Sequence, residues 1–480
     1  MGDHPLQTGE PLDLLNFFPA VEDKQWQNLI PDDLSWQPIE GIAVQPYYRR
    51  GASQPSPILD HSGWLIRADV DLADTAAALD SGAEALGFVL PEPTPVPEDL
   101  PLGGIPLFFR GEGIDLAFIQ TLRTKAESKG YEPAQIRGAV ILPEPQSSRT
   151  NLQAATGTGL WTQCIDLETW HDQGATHVQE MACGLAQLSD LMAELAPDCS
   201  AEHIYFRVPV GERYLLDIAR LRALRLCARE VLRAYSVQTQ NIPVVGVPSR
   251  RYESVLDPDT HLVRQTLQHA AAILGGCNVV VSSGVGLSLQ MQQILRREGR
   301  LDTIADAAAG SWMIEHLTDA LGHAAWKLFQ KIEAAGGLQK STPWIEKEIQ
   351  HADMQRKTAV YSGKEIVVGV NTYLSDQVEQ AAPQTGSIAA PLEHIRLRAK
   401  AMGGRTRVVI HGACDHLWLQ RLLDLCACTI HPEKADLTVM ETPQGFLAQN
   451  AQDEAVHLSV GEPLHLAADR LLKLLENHAA

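Results

Sequence analysis

The chain has 480 residues, of which 45% are hydrophobic and 20% charged, a balance typical of globular proteins with a core of full size. A formal net charge of -20 disfavours binding to polyanions, so we expect no nucleic-acid partner. No stretch reaches the roughly 18 apolar residues that span a bilayer, and the N-terminus lacks the blocks of a secretory signal, so we expect a cytoplasmic protein without membrane contact.

Residues 1–60 are predicted to form an irregular N-terminal arm. Four aromatic residues, Trp26, Trp36, Tyr47 and Tyr48, lie there among prolines. Large aromatic side chains often anchor interfaces because each buries a large area. We therefore expect the arm to bind another surface, in the same chain or in a partner.

Between residues 61 and 345, short apolar runs alternate with amphipathic helical stretches. Several runs contain no polar residue, which is typical of parallel strands covered on both faces. Eight such repeats predict an α/β fold, a (β/α)8 TIM barrel, with a doubly wound open sheet as the alternative. The predicted strands are 85–90, 105–109, 138–142, 163–167, 204–208, 243–247, 278–282 and 303–305.

Two further segments follow the barrel. Residues 346–385 are predicted to form a helix, a strand at 364–370 and a linker. Residues 386–480 show the pattern of a small α/β segment. Its predicted elements are helices at 391–402, 417–426 and 463–477 and a strand at 407–411.

The most distinctive segment spans residues 305–318 and reads ADAAAGSWMIEHLT, followed by the pair Ala325-Trp326. It resembles the DPxGGSYYxExLT…AW signature of the adenosylcobalamin-dependent acyl-CoA mutases, the methylmalonyl-CoA mutase family. Further motifs occur in family order between about residues 40 and 371. They include WLIR at 64–67, GYEPAQIRG at 130–138, YLLDIARLRALR at 214–225 and SRR at 249–251. The small, non-catalytic subunit of this family is the variant that the chain resembles most.

The resemblance implies a heterodimer with a large catalytic subunit, which the arm would embrace and which would carry the acyl-CoA and the adenosylcobalamin. In active members a C-terminal flavodoxin-like domain carries a D-x-H-x-x-G motif, whose histidine is a cobalt ligand. Residues 386–480 offer only Cys414-Asp415-His416, in which Asp and His are adjacent and no Gly follows. The resemblance therefore implies a degenerate flavodoxin-like segment, a vestige of the cobalamin domain, and a chain that does not hold cobalamin by itself or provide metal ligands.

His171 is the candidate catalytic residue. It follows the predicted strand 163–167 in WHDQGAT, which resembles the family's YHMQEAGAT, whose histidine contacts the substrate carbonyl. Trp170 stands where the family has Tyr and the loop is shorter, so a structural histidine bonded to a backbone carbonyl is the favoured alternative. We expect His177, six residues on, to lie in solvent on a helix.

A second hypothesis is that the chain is a working mutase barrel that receives cobalamin from a separate cobalamin-binding protein. His171 would then be catalytic, and Ser249, Arg250 and Ser283 would line the acyl-CoA site. In active chains the CoA tail threads the barrel axis between small polar side chains, whereas the apolar strands here indicate a filled axis. A third possibility is a homo-oligomeric scaffold or binding module.

Overall fold

The chain forms two compact units, residues 1–49 and residues 50–480, in a computed structural model. The first unit contains the short helix α1 (Asp23–Gln27) and a bridge between Trp36 and Val44. The described residues are 22–31, 34, 36, 38, 40–48, 58–59, 61–92, 95–98, 100–142, 148–195, 201–211, 213–237, 241–375, 382–384, 386–402, 406–411, 417–430, 436–450 and 452–479.

A parallel sheet that nearly closes into a barrel forms the centre of the second unit. Its strands pair in the order β5-β4-β3-β2-β1-β9-β8-β7-β6. The strands are β1 (Leu65–Asp69), β2 (Ala85–Val89), β3 (Leu107–Arg110), β4 (Arg137–Val140), β5 (Gly159–Trp161), β6 (Gln163–Asp166), β7 (Ile204–Val210), β8 (Val244–Pro248) and β9 (Val279–Ser283). Only Thr162 separates β5 from β6, so one nearly continuous segment pairs with β4 and then with β7. The predicted (β/α)8 TIM barrel is confirmed, because the strand order follows the chain around the barrel without a switch point.

Helices surround the barrel, and two more form an outer layer. The surrounding helices are α2 (Thr75–Asp80), α3 (Leu116–Ser128), α4 (Ser148–Ala155), α5 (Glu168–Asp172), α6 (His177–Leu195), α7 (Tyr214–Ala234), α8 (Pro258–Leu274) and α9 (Leu287–Arg297). The helix α8 has a favourable N-terminus, since Asp257 accepts a hydrogen bond from the Thr260 N–H and Pro258 follows at the first position. The helix α10 (Trp312–Ala334) packs on α6 and α7, and α11 (Leu338–Tyr361) leads toward the C-terminal segment.

Two predicted strands are wrong. Residues 303–305 form turns, and the eighth strand position is instead occupied by β1, which pairs with β9 through Ile66 and Val280. The hydrophobic pattern missed β1 because Arg67 and Asp69 interrupt its apolar run. Residues 364–370 also form turns, with a single bridge between Val368 and Thr372.

The C-terminal segment is a small α/β sheet. Its elements are α12 (Ala390–Ala401), β10 (Thr406–His411), α13 (Leu417–Leu425), β11 (Cys428–Ile430), β12 (Leu437–Thr442), β13 (Gly445–Asn450), β14 (Ala455–Leu458) and α14 (Leu464–Ala479). The strand order is β11-β10-β12-β13-β14; the first three strands pair in parallel, whereas β13 pairs antiparallel with both β12 and β14. These three keep the order of a flavodoxin-like sheet, and the antiparallel β13 and β14 depart from it.

The hydrophobic core of the C-terminal segment also includes residues of α11 and of the loop after β8. Leu422 and Leu471 belong to the same buried cluster as Val360 of α11 and Tyr252, which follows β8. Buried Glu393 of α12 also accepts hydrogen bonds from the loop after β8, including the Val255 N–H at 2.9 Å. The domain boundaries proposed from the sequence stay predictions. No helix in the described parts of the chain is long and apolar enough to cross a membrane.

Candidate functional site

The signature segment at 305–318 forms a buried ionic contact. One carboxylate oxygen of Asp306 accepts a hydrogen bond from the Arg222 guanidinium of α7, and the other accepts one from the Ile58 N–H at 2.7 Å. Glu315 of α10 accepts a hydrogen bond from Arg222 Nη2 at 2.9 Å. Because Arg222 and Asp306 are both buried, each stabilises a charge that would be costly if left unpaired. The most distinctive motif of the sequence therefore fixes the packing of α7 and α10.

A chain of buried polar side chains links α5, α6, α7 and the loop after β8. His171 Nε2 lies 2.7 Å from Ser249 Oγ, and His171 Nδ1 lies 2.9 Å from Glu180 Oε1. The other Glu180 oxygen accepts a hydrogen bond from Arg220, which also donates to Asp217 Oδ1 at 2.7 Å. Both ring nitrogens of His171 are thus engaged by side chains of the same chain.

His177 is fully buried at the start of α6, so the expectation of a solvated residue is wrong. Its Nε2 lies 3.4 Å from Asp217 Oδ1. Burial alone would raise the pKa of Asp217, but Arg220 and His177 outweigh it and hold the pKa below its ordinary value. His177 can be buried because Asp217 of α7, 40 positions away in the sequence, lies against it. The helical pattern of α6 alone does not predict this contact.

Ser249, His171 and Glu180 are hydrogen-bonded in the order of a hydrolytic triad, but their side chains are too buried for a substrate to reach them. His171 is 1% exposed and Ser249 is 3% exposed. The Arg251 N–H also donates to Ser249 Oγ at 3.3 Å, and Arg251 Nη1 donates to the His171 carbonyl at 3.1 Å. A nucleophile and its base must meet a substrate, so this geometry favours a structural interpretation of His171.

The three predicted substrate-binding residues lie at the carboxyl ends of β8 and β9, where a TIM barrel has its active site. Ser249 is buried against His171, whereas Arg250 and Ser283 are exposed. Ser283 leads into a tight turn in which Gly284 and Gly286 have positive φ, so this loop is a βα turn. Of these residues, Ser249 is brought into contact with His171.

Large side chains fill the barrel axis. The Phe108 ring of β3 lies 6.0 Å from the Trp161 ring of β5, centroid to centroid, and Arg67 of β1 lies 4.4 Å above the Phe108 ring. Each pair spans an intervening strand, so these contacts cross the interior. Gly87 of β2 provides the space, since a Cβ there would lie 2.5 Å from Arg67 Nε. Tyr205 adds a third ring, 5.5 Å from Trp161.

A layer of paired charges follows at the mouth of the barrel. Arg207 of β7 bonds Asp166 at 3.4 Å and also Glu168, and Arg67 Nε donates to Asp69 Oδ1 at 2.7 Å. Burial alone would lower the pKa of Arg207, but Asp166 and Glu168 raise it above its ordinary value. The axis therefore ends in ion pairs above a packed aromatic layer.

The aromatic residues of the arm form their own contacts within the first unit. The Trp26 and Tyr47 rings meet edge to face at 5.2 Å, and the Gln45 N–H donates to the Tyr48 hydroxyl at 2.9 Å. Trp36 is 40% exposed and Tyr47 is 46% exposed. Two of the four predicted anchors thus keep a large accessible surface within this unit.

Comparison with known proteins agrees with the motifs. Residues 161–394 match the family model of methylmalonyl-CoA mutase. The chain thus resembles the methylmalonyl-CoA mutase family along this stretch, as its motifs predicted. It is similar to the methylmalonyl-CoA mutase small subunit of Porphyromonas gingivalis, with 25% identity over 75% of this chain and 71% of the relative. A probable small subunit of Mycobacterium tuberculosis is 25% identical over 78% and 68%, and the mutase of Rhizobium meliloti is 27% identical over 47% and 36%.

Some residues of the barrel that the sequence did not point to are contact partners of the candidate histidines. Glu180 completes the contacts of His171, and nothing in its local pattern marks it. Asp217 lies in the motif YLLDIARLRALR, but the motif alone does not indicate its contact with His177. The arginines of YLLDIARLRALR offered one signal, because Arg220 and Arg222 interrupt a leucine-rich helix without forming an exposed face. Arginines on the apolar side of a helix indicate buried ion pairs when other motifs of the chain supply acidic residues.

Proposed function

We propose that the chain is the small, non-catalytic subunit of a heterodimeric methylmalonyl-CoA mutase and that it stabilises a large catalytic subunit. The filled barrel axis is the observation that carries this proposal. In active family members the CoA tail passes along the axis, a path that Arg67, Phe108 and Trp161 occupy here. The acyl-CoA would therefore bind to the partner.

The surroundings of His171 support the same proposal. A histidine that polarises a substrate carbonyl must present an N–H to it. Here the two ring nitrogens contact Glu180 and Ser249, and the ring is buried. In this proposal His171 holds α5 against α6 and the loop after β8, and it touches no substrate.

The C-terminal segment does not fit a cobalamin domain. Ligands of a doubly wound sheet bind outside the carboxyl ends of its parallel strands. In this segment β13 pairs antiparallel with β12 and β14 pairs antiparallel with β13, so the run of adjacent parallel strands ends at β12. The motif Cys414-Asp415-His416 lies outside the described residues and has the wrong spacing for a cobalt ligand. Adenosylcobalamin in the complex would be held by the large subunit.

Binding to the folded partner is by itself a sufficient physical role, because a subunit that binds only the native state stabilises it by mass action. The names of the small-subunit relatives support a partner of this kind. In this proposal the arm supplies aromatic anchors, among which Trp36 and Tyr47 offer the most surface in the first unit.

Activity measurements on the chain alone and in the complex test the proposal. The purified chain with adenosylcobalamin and methylmalonyl-CoA is expected to give no turnover, and co-expression with a large mutase subunit is expected to give a stable one-to-one complex. His171→Asn should leave kcat/KM of the assembled complex within about twofold. Turnover by this chain with a separate cobalamin-binding protein, lost in the His171 variant, would establish the catalytic-barrel hypothesis instead.

A pair of tryptophan variants tests the arm. Trp36→Ala should weaken the complex by about 30-fold, the effect of losing an interface residue worth about 2 kcal/mol. Trp312→Ala is the matched control, since Trp312 is 46% exposed but lies on the barrel unit. Equal affinities of the two variants for the large subunit would contradict the role given to the arm.

A further inference from the structure

A large cavity lies between residues 366–375 and the C-terminal segment. It has a volume of about 830 Å³, within the range of roughly 300–1,000 Å³ that is typical of small-molecule sites. Its walls include the end of α12, most of α13 and the start of β11. None of the described residues that line the cavity lies at the mouth of the barrel, and none has a part in the function proposed above.

Arg421 of α13 is the unusual group in this wall. The side chain lines the cavity although Arg421 is only 7% exposed. Its Nη1 donates to the Gly363 carbonyl, while its buried Nε has no hydrogen-bond partner in the described part of the chain. The guanidinium carries a permanent positive charge at the cavity wall, so an anionic group in the cavity would be attracted to it.

The other buried arginine of the wall makes two hydrogen bonds to backbone carbonyls. Arg396 donates to the Gly369 carbonyl at 3.1 Å and to the Ser375 carbonyl at 2.8 Å, so it holds the segment 366–375 in place. The contrast with Arg421 assigns the binding role to Arg421 and the supporting role to Arg396.

Charge and apolar surface together define the ligand class. Among the described residues that line the cavity, three are cationic, Arg396, Lys400 and Arg421, against one carboxylate, Asp424. Such a concentration of positive charge is unusual in a chain with a net charge of -20. The remaining wall includes Leu374, Leu417 and Leu425, together with Tyr373, which is 77% exposed at the rim.

The position excludes a remnant of the cobalamin site. Residues 427–429 at the amino end of β11 line the cavity. Ligands of flavodoxin-like sheets bind at the opposite, carboxyl ends of the strands. A ligand here would contact the joint between the barrel unit and the C-terminal segment.

We propose that this cavity binds an amphipathic organic anion, a molecule with one carboxylate or phosphate head and an apolar body. The head would accept hydrogen bonds from Arg421, with Lys400 adding positive charge, and the body would lie along Leu374, Leu417 and Leu425. Binding there would tie residues 366–375 to α12 and α13.

Calorimetric titration of the full chain tests the proposal with probes of equal chain length. Octanoate and octyl phosphate, below their micelle concentrations, are expected to bind with one-to-one stoichiometry, and octan-1-ol at least tenfold more weakly. Their relative affinities distinguish a carboxylate from a phosphate ligand. Equal affinity of the neutral alcohol, or no saturable binding of any probe, would overturn the proposal.

Variants locate the binding. Arg421→Met should weaken octanoate binding at least tenfold, whereas Arg470→Met, which removes an arginine paired with Glu462 outside the cavity, should leave it unchanged. Because Arg421 is buried, two exposed wall residues give a second measure that spares the packing. Lys400→Met should weaken binding about threefold, and Gln420→Trp should block it. Unaltered affinity in these exposed variants would refute the assignment.

Discussion

Replacing Glu180 by alanine should destabilise the barrel unit by about 3 kcal/mol. Removing one partner of a buried ion pair costs about 3–5 kcal/mol because a charge is left without compensation. Arg220 keeps its bond to Asp217 at 2.7 Å and its contact with the Pro209 carbonyl, so the loss should fall at the lower end of this range. The folding equilibrium would shift by a factor of roughly 150.

Urea unfolding followed by circular dichroism measures this loss. Glu180→Gln keeps the volume and part of the hydrogen bonding, and we expect it to lose about half as much stability. The control is Glu230→Ala, which removes an exposed partner of Arg233 on α7 and should change the free energy of unfolding by less than about 0.5 kcal/mol. A loss below about 1 kcal/mol in Glu180→Ala would refute the coupling of Glu180 to Arg220 and His171.

Three further changes test other parts of the structure. Phe108→Ala should cost about 3–5 kcal/mol in a urea titration and create no CoA affinity in calorimetry, because Arg67 and Trp161 still occupy the axis; micromolar CoA binding would contradict this. Asp306→Asn should lower the urea midpoint because Arg222 loses its charged partner, and an unchanged midpoint would show that the signature does not fix the fold. Burial lowers the pKa of His269 to about 4, below the 6.5 of the unfolded chain, so the unfolded state binds the extra proton. Its stabilising effect is complete above pH 6.5 and decreases as the pH falls toward 4, by about 1.4 kcal/mol per pH unit; His269→Gln should remove that slope, and equal slopes in both proteins would refute the assignment.

Much of the fold could be predicted because it depends on local patterns. Apolar runs at regular spacing gave most strands of the barrel. Two strands of the barrel were missed, β1 and the three-residue β5. In β1, Arg67 and Asp69 point into the barrel and form an ion pair. A pattern method treats such residues as solvent-facing, since it cannot see the partner.

The candidate site was predictable in part. The segment around His171 was found through its family motif, and its position after β6 agrees with the expected edge of the barrel. What His171 contacts could not be found, because Ser249 lies 78 positions away in sequence and Glu180 carries no distinguishing pattern. Arg250 and Ser283 lie at the carboxyl edge of the barrel and are exposed, whereas His171 is buried.

The sequence by itself determined the family, the alternation of strands and helices, and the absence of a D-x-H-x-x-G motif, because these are properties of residue order. Only the tertiary structure decided which polar residues lie inside. Arg220 and Arg222 are buried because the carboxylates of Glu180 and Asp306, from distant segments, neutralise them, and His177 is buried against Asp217 of another helix. These conditions exist only once the helices have packed. The filling of the axis was likewise decided by folding, since Phe108 and Trp161 meet only when strands that are not neighbours face each other across a closed barrel.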